Sequence, residues 1–181
     1  CRITREGQTG ICGATLGTIA ARNLARAIAG GAAAHSDHGR DIAFALHAVA
    51  TGEAPGYQIR DEKKLRSIAR LMDIAEEGRP TKDVALEVAE KAIATIGQQR
   101  GEIFYMSRAP KPRQEIWHRE GLTARGIDRE IVEVMHRTHI GVDQDPEHIL
   151  RHALRTAISD GWGGSMLATD LSDVLFGTPS P

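Results

Sequence analysis

Apolar residues recur at helical spacing along most of the chain. A first stripe runs from Leu16 to Ile28 and a second from Ile42 to Ala50, and both match the period of a helix that is buried on one face. Gly30 and Gly31 lie between the two stripes. We expect this pair either to end the first helix or to let a neighbouring helix pack closely against it.

The helical period continues through the second half of the chain. After Thr81, the predicted N-cap, one helix has an inner face formed by Val84, Val88, Ala92 and Ile96. Asp128 and Asp145 are predicted to cap two later helices, the second with proline in its first position. Residues 161–164 are expected to interrupt the chain before a last helix over residues 166–176. Aromatic residues make up only 4% of the sequence, and a core of small aliphatic side chains favours an all-α fold over sheets.

The chain divides into three parts by composition. Residues 1–13 lack a helical period and contain both cysteines, Cys1 and Cys12, so a loop is predicted there. Residues 14–176 form the predicted helical domain, and residues 177–181 are expected to connect it to a following domain. Because Cys1 is neither an initiator methionine nor preceded by a signal peptide, we expect the sequence to begin inside a larger protein.

Charge and cysteine content exclude several classes of protein. Lys and Arg total 23 against 24 Asp and Glu, which gives a net charge of -1 and no long-range field to hold nucleic acid. No run of about 18 apolar residues predicts a membrane span. Two cysteines near one end cannot form the disulfide framework of a small secreted domain.

Histidines are the side chains with the most chemical potential. The chain has eight of them, and three pairs lie three or four residues apart: His35 and His38, His136 and His139, His148 and His152. Such spacing suits metal ligation, but a zinc site needs three or four ligands and no HExxH motif occurs, so a zinc site is disfavoured.

The three pairs lead to different expectations. Because His148 and His152 lie among charged residues, we expect both to be solvated; the His136 pair precedes a helix end, where a cation favours the terminal carbonyls. His35 and His38 lie in a glycine- and alanine-rich segment that must pack tightly. They are candidates for proton transfer, because imidazole both takes and gives protons near neutral pH. A purely structural pair is the alternative.

Several strings together resemble one family. CRI, GICGA, TIAARNL, AAAHSDHGRDIA, IDREIVEVMHRTHIGVD and DGWGGSMLATDLSDVLFGTPSP closely resemble, in the same order, the N-terminal helical region of anaerobic nickel-iron carbon monoxide dehydrogenases. The match covers essentially the whole chain. The resemblance implies an all-α, multi-helix N-terminal domain of a larger α/β metalloenzyme.

The resemblance also implies roles for individual residues. Cys1 and Cys12 look like the third and fourth cysteines of a series that binds a [4Fe-4S] relay cluster. His35 would be the ring nearest the active cluster and His38 the next step of a proton path. Some members continue that path with histidine where this chain has Asp41 and Phe44; Asp41 can bridge through water, whereas Phe44 cannot move a proton.

The implied reaction is the reversible conversion of CO and water to CO2, two protons and two electrons. The implied cofactors are [4Fe-4S] clusters and a nickel-iron-sulfur (Ni-Fe-S) active cluster, whose ligands lie outside this chain. The implied partners are the rest of the parent chain, a second copy in a homodimer, a ferredoxin-like electron carrier and, in some members, acetyl-CoA synthase. The resemblance implies a cytoplasmic enzyme, and we expect this chain alone to be inactive toward CO.

Two other interpretations remain open on the residues. A non-enzymatic helical module that binds a partner through an apolar groove would expose a Leu/Ile patch and bury no titratable pair. A hybrid-cluster-type redox enzyme, a relative of the same family, would reduce hydroxylamine or related species. Four more cysteines directly before Cys1 would favour the dehydrogenase over the binding module.

Overall fold

The computed structural model describes residues 3–180. Seven α-helices follow one another: α1 Leu16–Thr51, α2 Glu62–Leu71, α3 Thr81–Ile96, α4 Lys111–Arg119, α5 Ile127–Met135, α6 Pro146–Ser159 and α7 Met166–Phe176. A 3₁₀ turn covers Phe104–Arg108, and two π-helical segments, His136–Ile140 and Asp160–Ser165, continue α5 and α6. No strand occurs within residues 3–180, which confirms the all-α prediction.

Helix α1 is the central element of the fold. It is 36 residues long and packs against α3, α5, α6 and α7. A capping box starts it, in which the Thr15 hydroxyl accepts from the Thr18 backbone N–H at 3.1 Å. Gly52 ends it in the left-handed conformation with φ of 86°. Half of its buried residues are alanine, so neighbouring helices approach its backbone closely.

The prediction for Gly30 and Gly31 is wrong on both counts. Helix α1 passes through the pair without a break, and a Cβ added at either glycine would meet no atom within 4 Å. Two glycines in a helix interior cost roughly 1 kcal/mol each relative to alanine. The fully buried Ala29 and Ala32 flank the pair on the inner face, and this packing outweighs the local preference.

Two apolar clusters form the core. The larger joins the second half of α1 to α2, α3 and α7, and it includes the fully buried Leu46, Leu65 and Tyr105. The smaller lies between the first half of α1, α5 and α6, around Ala25 and Ile149. The predicted inner face of α3 is confirmed, because all four of its residues are buried.

The helix termini test the predicted caps. Asp145 caps α6 as predicted and accepts from the backbone N–H of Glu147 at 2.8 Å. Asp128 does not cap α5. The N-cap position is held by Gly126, which has no side chain to accept a capping hydrogen bond. Residues 161–164 do not interrupt the helical structure as predicted. They lie in a π-helical segment that joins α6 to α7.

Candidate functional site

A histidine-carboxylate pair forms where α1 meets the π-helical segment after α6. His35 Nδ1 lies 2.8 Å from Asp160 Oδ1, and the two side chains are 53% and 23% exposed. With an ionised carboxylate as acceptor, the ring donates from Nδ1–H, which leaves Nε2 free as a proton acceptor. Asp160 therefore fixes both the tautomer and the orientation of the ring.

Close packing holds this segment of α1 in place. A Cβ added at Gly164 would lie 3.5 Å from His35 Cβ and 3.6 Å from Asp160 Oδ1. On the opposite side, the Ser36 hydroxyl donates to Asp128 Oδ1 at 2.6 Å, and Arg40 pairs with the other oxygen of the same carboxylate at 2.5 Å. The residue predicted to cap α5 thus anchors α1 instead.

The further positions of the proposed proton path follow along α1. His38 and Asp41 are exposed, Phe44 is 51% exposed, and His47 is half-buried. Residues at spacing three lie on adjoining turns of one helix surface. Imidazole, carboxylate and phenyl side chains therefore line the surface outward from His35, and the phenyl group interrupts the series of groups that carry protons.

Cys12 lies in the loop before α1. Its side chain is exposed, and the following Gly13 adopts φ of 83°, which favours glycine. Gln144 fastens the loop, because its side-chain amide donates to the Cys12 carbonyl at 2.5 Å while its own carbonyl accepts from the Thr18 hydroxyl at 2.7 Å. Cys1, the other predicted ligand, lies outside the described residues.

The chemistry around Cys12 suits a metal-bound sulfur. A hydrogen bond from the Ala14 backbone N–H is the main cause that lowers the pKa of the Cys12 thiol; incomplete solvation opposes it, and the Arg22 guanidinium adds to the lowering. Iron–sulfur ligands are thiolates, and hydrogen bonds to their sulfurs are usual. Within residues 3–180, no group of three or more histidine, cysteine or carboxylate side chains converges on one metal position. Among residues 3–180, Cys12 would therefore supply one ligand of a cluster, and the other ligands would come from outside this range.

The structure keeps the two candidate sites apart. His35 lies 19 residues after the start of α1, which corresponds to about 28 Å along the axis at roughly 1.5 Å per residue. Cys12 lies beyond that start. A site suited to thiolate ligation therefore lies in the loop before α1, and a separate site suited to proton transfer lies within the helix.

The third histidine pair departs from expectation. His148 is 66% exposed, as predicted, but the His152 side chain is only 3% exposed, so the prediction that both are solvated is wrong for His152. His152 Nε2 lies 3.0 Å from Glu130 Oε2, 22 residues earlier in the chain. Its Nδ1 is buried without a hydrogen-bond partner, 4.0 Å from Glu133 Oε1.

Arginines surround this buried pair. Glu130 is fully buried and also binds the side chains of Arg125, at 2.9 Å, and Arg155, at 2.8 Å. Burial alone would raise the pKa of Glu130, but hydrogen bonds from His152 and Arg125 hold it well below its ordinary range. Burial likewise opposes the effect of Arg125 on Glu133, whose pKa is lowered to about 2. This network cross-links α5 and α6.

Sequence reasoning missed Asp160 and the Glu130 network because each pairing joins distant parts of the chain. The only local signal for Asp160 is its place directly before the glycine-rich GWGG string.

No helix in the described part of the chain is both long and apolar enough to cross a membrane, in agreement with the composition.

Comparison with known proteins was made for the sequence and for the fold. The family model described as Prismane/CO dehydrogenase family matches residues 1–181. The chain is 54% identical over 184 residues to carbon monoxide dehydrogenase 1 of Methanosarcina mazei, covering 100% of this chain and 29% of that protein.

Solved structures give the same result. The Ni-free carbon monoxide dehydrogenase of Thermococcus sp. AM4 superposes with a TM-score of 0.95 and 47% identity over 99% of this chain and 29% of that chain. An acetyl-CoA synthase/carbon monoxide dehydrogenase, whose α subunits hold NiZn[Fe4S4] and NiNi[Fe4S4] clusters, matches with a TM-score of 0.91 and 39% identity, over 98% of this chain and 27% of that chain. The chain thus spans less than a third of the length of these relatives.

Proposed function

The chain belongs to the Prismane/CO dehydrogenase family, and from this we propose that it is the helical domain of an anaerobic nickel-iron carbon monoxide dehydrogenase. The proposed reaction of the full-length enzyme is the reversible oxidation of CO with water to CO2, two protons and two electrons. Its relatives are named as carbon monoxide dehydrogenases, which favours this activity over that of a hybrid-cluster enzyme. The observation that carries the proposal on this chain is the His35 ring, held by Asp160 with its second nitrogen free.

His35 is proposed to accept protons released by the reaction. Its Nε2 lone pair takes the proton, and the Asp160 carboxylate at 2.8 Å from Nδ1 stabilises the imidazolium that results. His38, one turn further along α1 and exposed, receives the proton next. Beyond His38, Asp41 passes protons on to water. The side-chain path stops there, because Phe44 has no group that carries protons.

Cys12 is proposed to hold a [4Fe-4S] relay cluster together with Cys1 and cysteines outside this chain. Its backbone environment supports this role, because the Ala14 N–H favours the thiolate form. When bound in the full-length enzyme, the Ni-Fe-S cluster supplies the site of CO oxidation and the [4Fe-4S] clusters carry single electrons away. The isolated chain lacks most of these ligands, so we expect it to be inactive toward CO.

The partners follow from the same proposal. Electrons that leave the relay cluster pass to a ferredoxin-like carrier. The cluster arrangement implied by the family requires a second copy of the full-length chain, so the enzyme is a homodimer. Its proposed location is the cytoplasm. The similarity to an acetyl-CoA synthase/carbon monoxide dehydrogenase structure supports acetyl-CoA synthase as a further partner of the full-length enzyme.

Replacement of His35 tests the proton role. In the full-length enzyme, His35→Leu should reduce CO oxidation by roughly 10²- to 10⁴-fold, the usual contribution of general acid–base catalysis. Nickel and iron content should stay unchanged. Asp160→Asn should reduce the rate less and alter its pH profile, because the ring keeps its nitrogen but loses the carboxylate that stabilises its charge. His38→Leu should cost less than His35→Leu, because water replaces an outer step more easily.

The control is His148→Leu, because His148 is exposed on α6 and has no part in the proposed path. Its rate should match that of the unaltered enzyme. Wild-type turnover by the His35 variant across pH 6 to 9 would show that His35 does not transfer protons. A loss of nickel in proportion to activity would instead assign it to support of the active cluster.

A further inference from the structure

Arg22 is a buried cation without an anionic partner. Its side chain is in the inner face of α1 and the residue is 8% exposed. The guanidinium donates to backbone carbonyls: Nε to Asp143 at 3.2 Å, and Nη2 to Asp143 at 2.5 Å and to Gly141 at 3.4 Å. Within residues 3–180, no carboxylate lies within 4.0 Å of it. Asp143 directs its carboxylate to Arg137 instead, at 3.0 Å.

This arrangement is unusual for a buried charge. Moving a charged group out of water is costly unless an opposite charge compensates for it. Arg125 and Arg155, which are also partly buried, each pair with both Glu130 and Glu133. Carbonyl oxygens orient the Arg22 guanidinium but leave its full positive charge without a counter-ion. The site therefore calls for an anion that the described residues do not supply as a carboxylate.

Cys12, whose thiol can become anionic, lies in the loop that Gln144 fastens beside this segment. Residues 141–144 join the Arg22 side chain to the Cys12 loop, because Arg22 binds carbonyls 141 and 143 while Gln144 binds the Cys12 backbone carbonyl. Thr18, one turn before Arg22 on α1, holds the same segment through the Gln144 carbonyl. The same short segment thus fixes the cation and the candidate ligand loop relative to each other.

We propose that Arg22 is the electrostatic positioning residue of the relay cluster, balancing the negative charge that the cluster carries at Cys12. This inference rests on the proposed function. A [4Fe-4S] cluster with four thiolate ligands is negatively charged and gains one more negative charge on reduction. A nearby cation stabilises the reduced form more than the oxidised form. Arg22 therefore raises the reduction potential of this cluster and eases electron entry.

The test is an anaerobic redox titration of the full-length enzyme, followed by the electron paramagnetic resonance signal of the reduced relay cluster. Arg22→Gln removes the charge and keeps amide hydrogen bonding, so the reduction equilibrium should fall about tenfold, a shift of about 59 mV to more negative potential for one electron. Arg22→Lys keeps the charge and should restore at least half of that shift. Iron content is measured on every variant.

Arg26→Gln is the matched control. Arg26 lies one turn further on α1 and also donates to a backbone carbonyl at 3.2 Å, but that carbonyl belongs to Thr138, outside the 141–144 segment that holds the Cys12 loop. Its midpoint should equal that of the unaltered enzyme. An unchanged midpoint in iron-replete Arg22→Gln would overturn the proposal. If Arg22→Gln fails to load iron, a loaded Arg22→Lys with a near-normal midpoint supports a charge effect, whereas failure of both shows that Arg22 acts by shape alone.

Cys12→Ser separates this inference from the function on which it rests. If the relay-cluster signal survives unaltered in that variant, Cys12 is not a ligand and the proposed cluster function of the loop is wrong. If the signal changes in Cys12→Ser while Arg22→Gln leaves the midpoint unchanged, the ligand assignment stands and only the role of Arg22 is refuted.

Discussion

Replacement of Glu130 by glutamine should destabilise the fold strongly, because this carboxylate is the fully buried centre of a network of cations. It accepts from the Arg125 backbone and side chain, from His152 and from Arg155, over distances of 2.8 to 3.0 Å. Glutamine keeps the shape and one acceptor oxygen but removes the charge and turns an NH2 group toward donors.

The magnitude follows from the loss of one partner in a buried ion pair. Such a loss costs about 3–5 kcal/mol, and the acceptor that glutamine retains places this variant near about 3 kcal/mol. For a domain of this size, that corresponds to a fall in melting temperature of roughly 6 to 12 °C. Thermal unfolding of the 181-residue chain, followed by circular dichroism at pH 7, measures it. The chain should be helical without metal, because apolar helix faces form its core.

Glu120→Gln is the control, since Glu120 pairs with Arg119 and Arg151 at the surface and exposed pairs contribute little.

The pH dependence of this stability difference gives a second check. Glu133 has its pKa lowered from 4.5 to about 2, and the pKa of Glu130 is lowered further. A carboxylate whose pKa is lower in the folded than in the unfolded state stabilises the fold at any pH above its unfolded pKa. This stabilisation is lost as the pH falls toward the folded-state pKa. The difference in melting temperature between the unaltered chain and Glu130→Gln should therefore become smaller as the pH falls from 5 to 3. A Glu130→Gln chain that melts within 1 °C of the unaltered one, or a difference independent of pH, would refute the reasoning.

Two glycines of opposite environment supply the remaining predictions. Gly30→Ala should stabilise the chain by about 0.5–1 kcal/mol, because the added Cβ meets nothing within 4 Å inside α1; a lower melting temperature would show that the helix is strained there. Gly126→Ala should destabilise by at least about 1–3 kcal/mol, because its Cβ would collide with the Gln98 backbone carbonyl. Equal melting temperatures for the Gly126 variant and the unaltered chain would contradict that contact.

The parts of the fold that sequence predicted are those governed by local spacing. Residues buried on the inner face of α3, and the Asp145 cap followed by proline, depend on neighbours within a few positions. Gly30 and Gly31 misled the prediction because their local cost is small beside the packing of α1 against four other helices. Asp128 misled it because a carboxylate near a helix start also binds side chains from elsewhere, here Ser36 and Arg40.

The candidate site shows the same division. His35 and Cys12 are candidates that the sequence alone offers, because their motifs are contiguous strings. Asp160, which orients His35 from 125 residues away, was not, because no periodic pattern links two such positions. The burial of His152 was missed for the same reason: its charged neighbours in sequence indicated solvent, whereas Glu130 pairs with it from α5. A buried ion pair leaves a sequence pattern that resembles an exposed helix face.

The continuity of α1 bears directly on how the proposed electron and proton sites are related. A helix that ended at Gly30 would allow the His35 segment to reorient relative to the loop that contains Cys12. Instead, main-chain hydrogen bonds run unbroken from the capping box at Thr15 to Gly52. The first half of α1 packs on α5 and α6, and the second half on the larger core. A rigid helix packed at both ends allows little relative movement of those ends, so in the proposed enzyme we do not expect movement of α1 to link proton release at His35 to electron exit near Cys12.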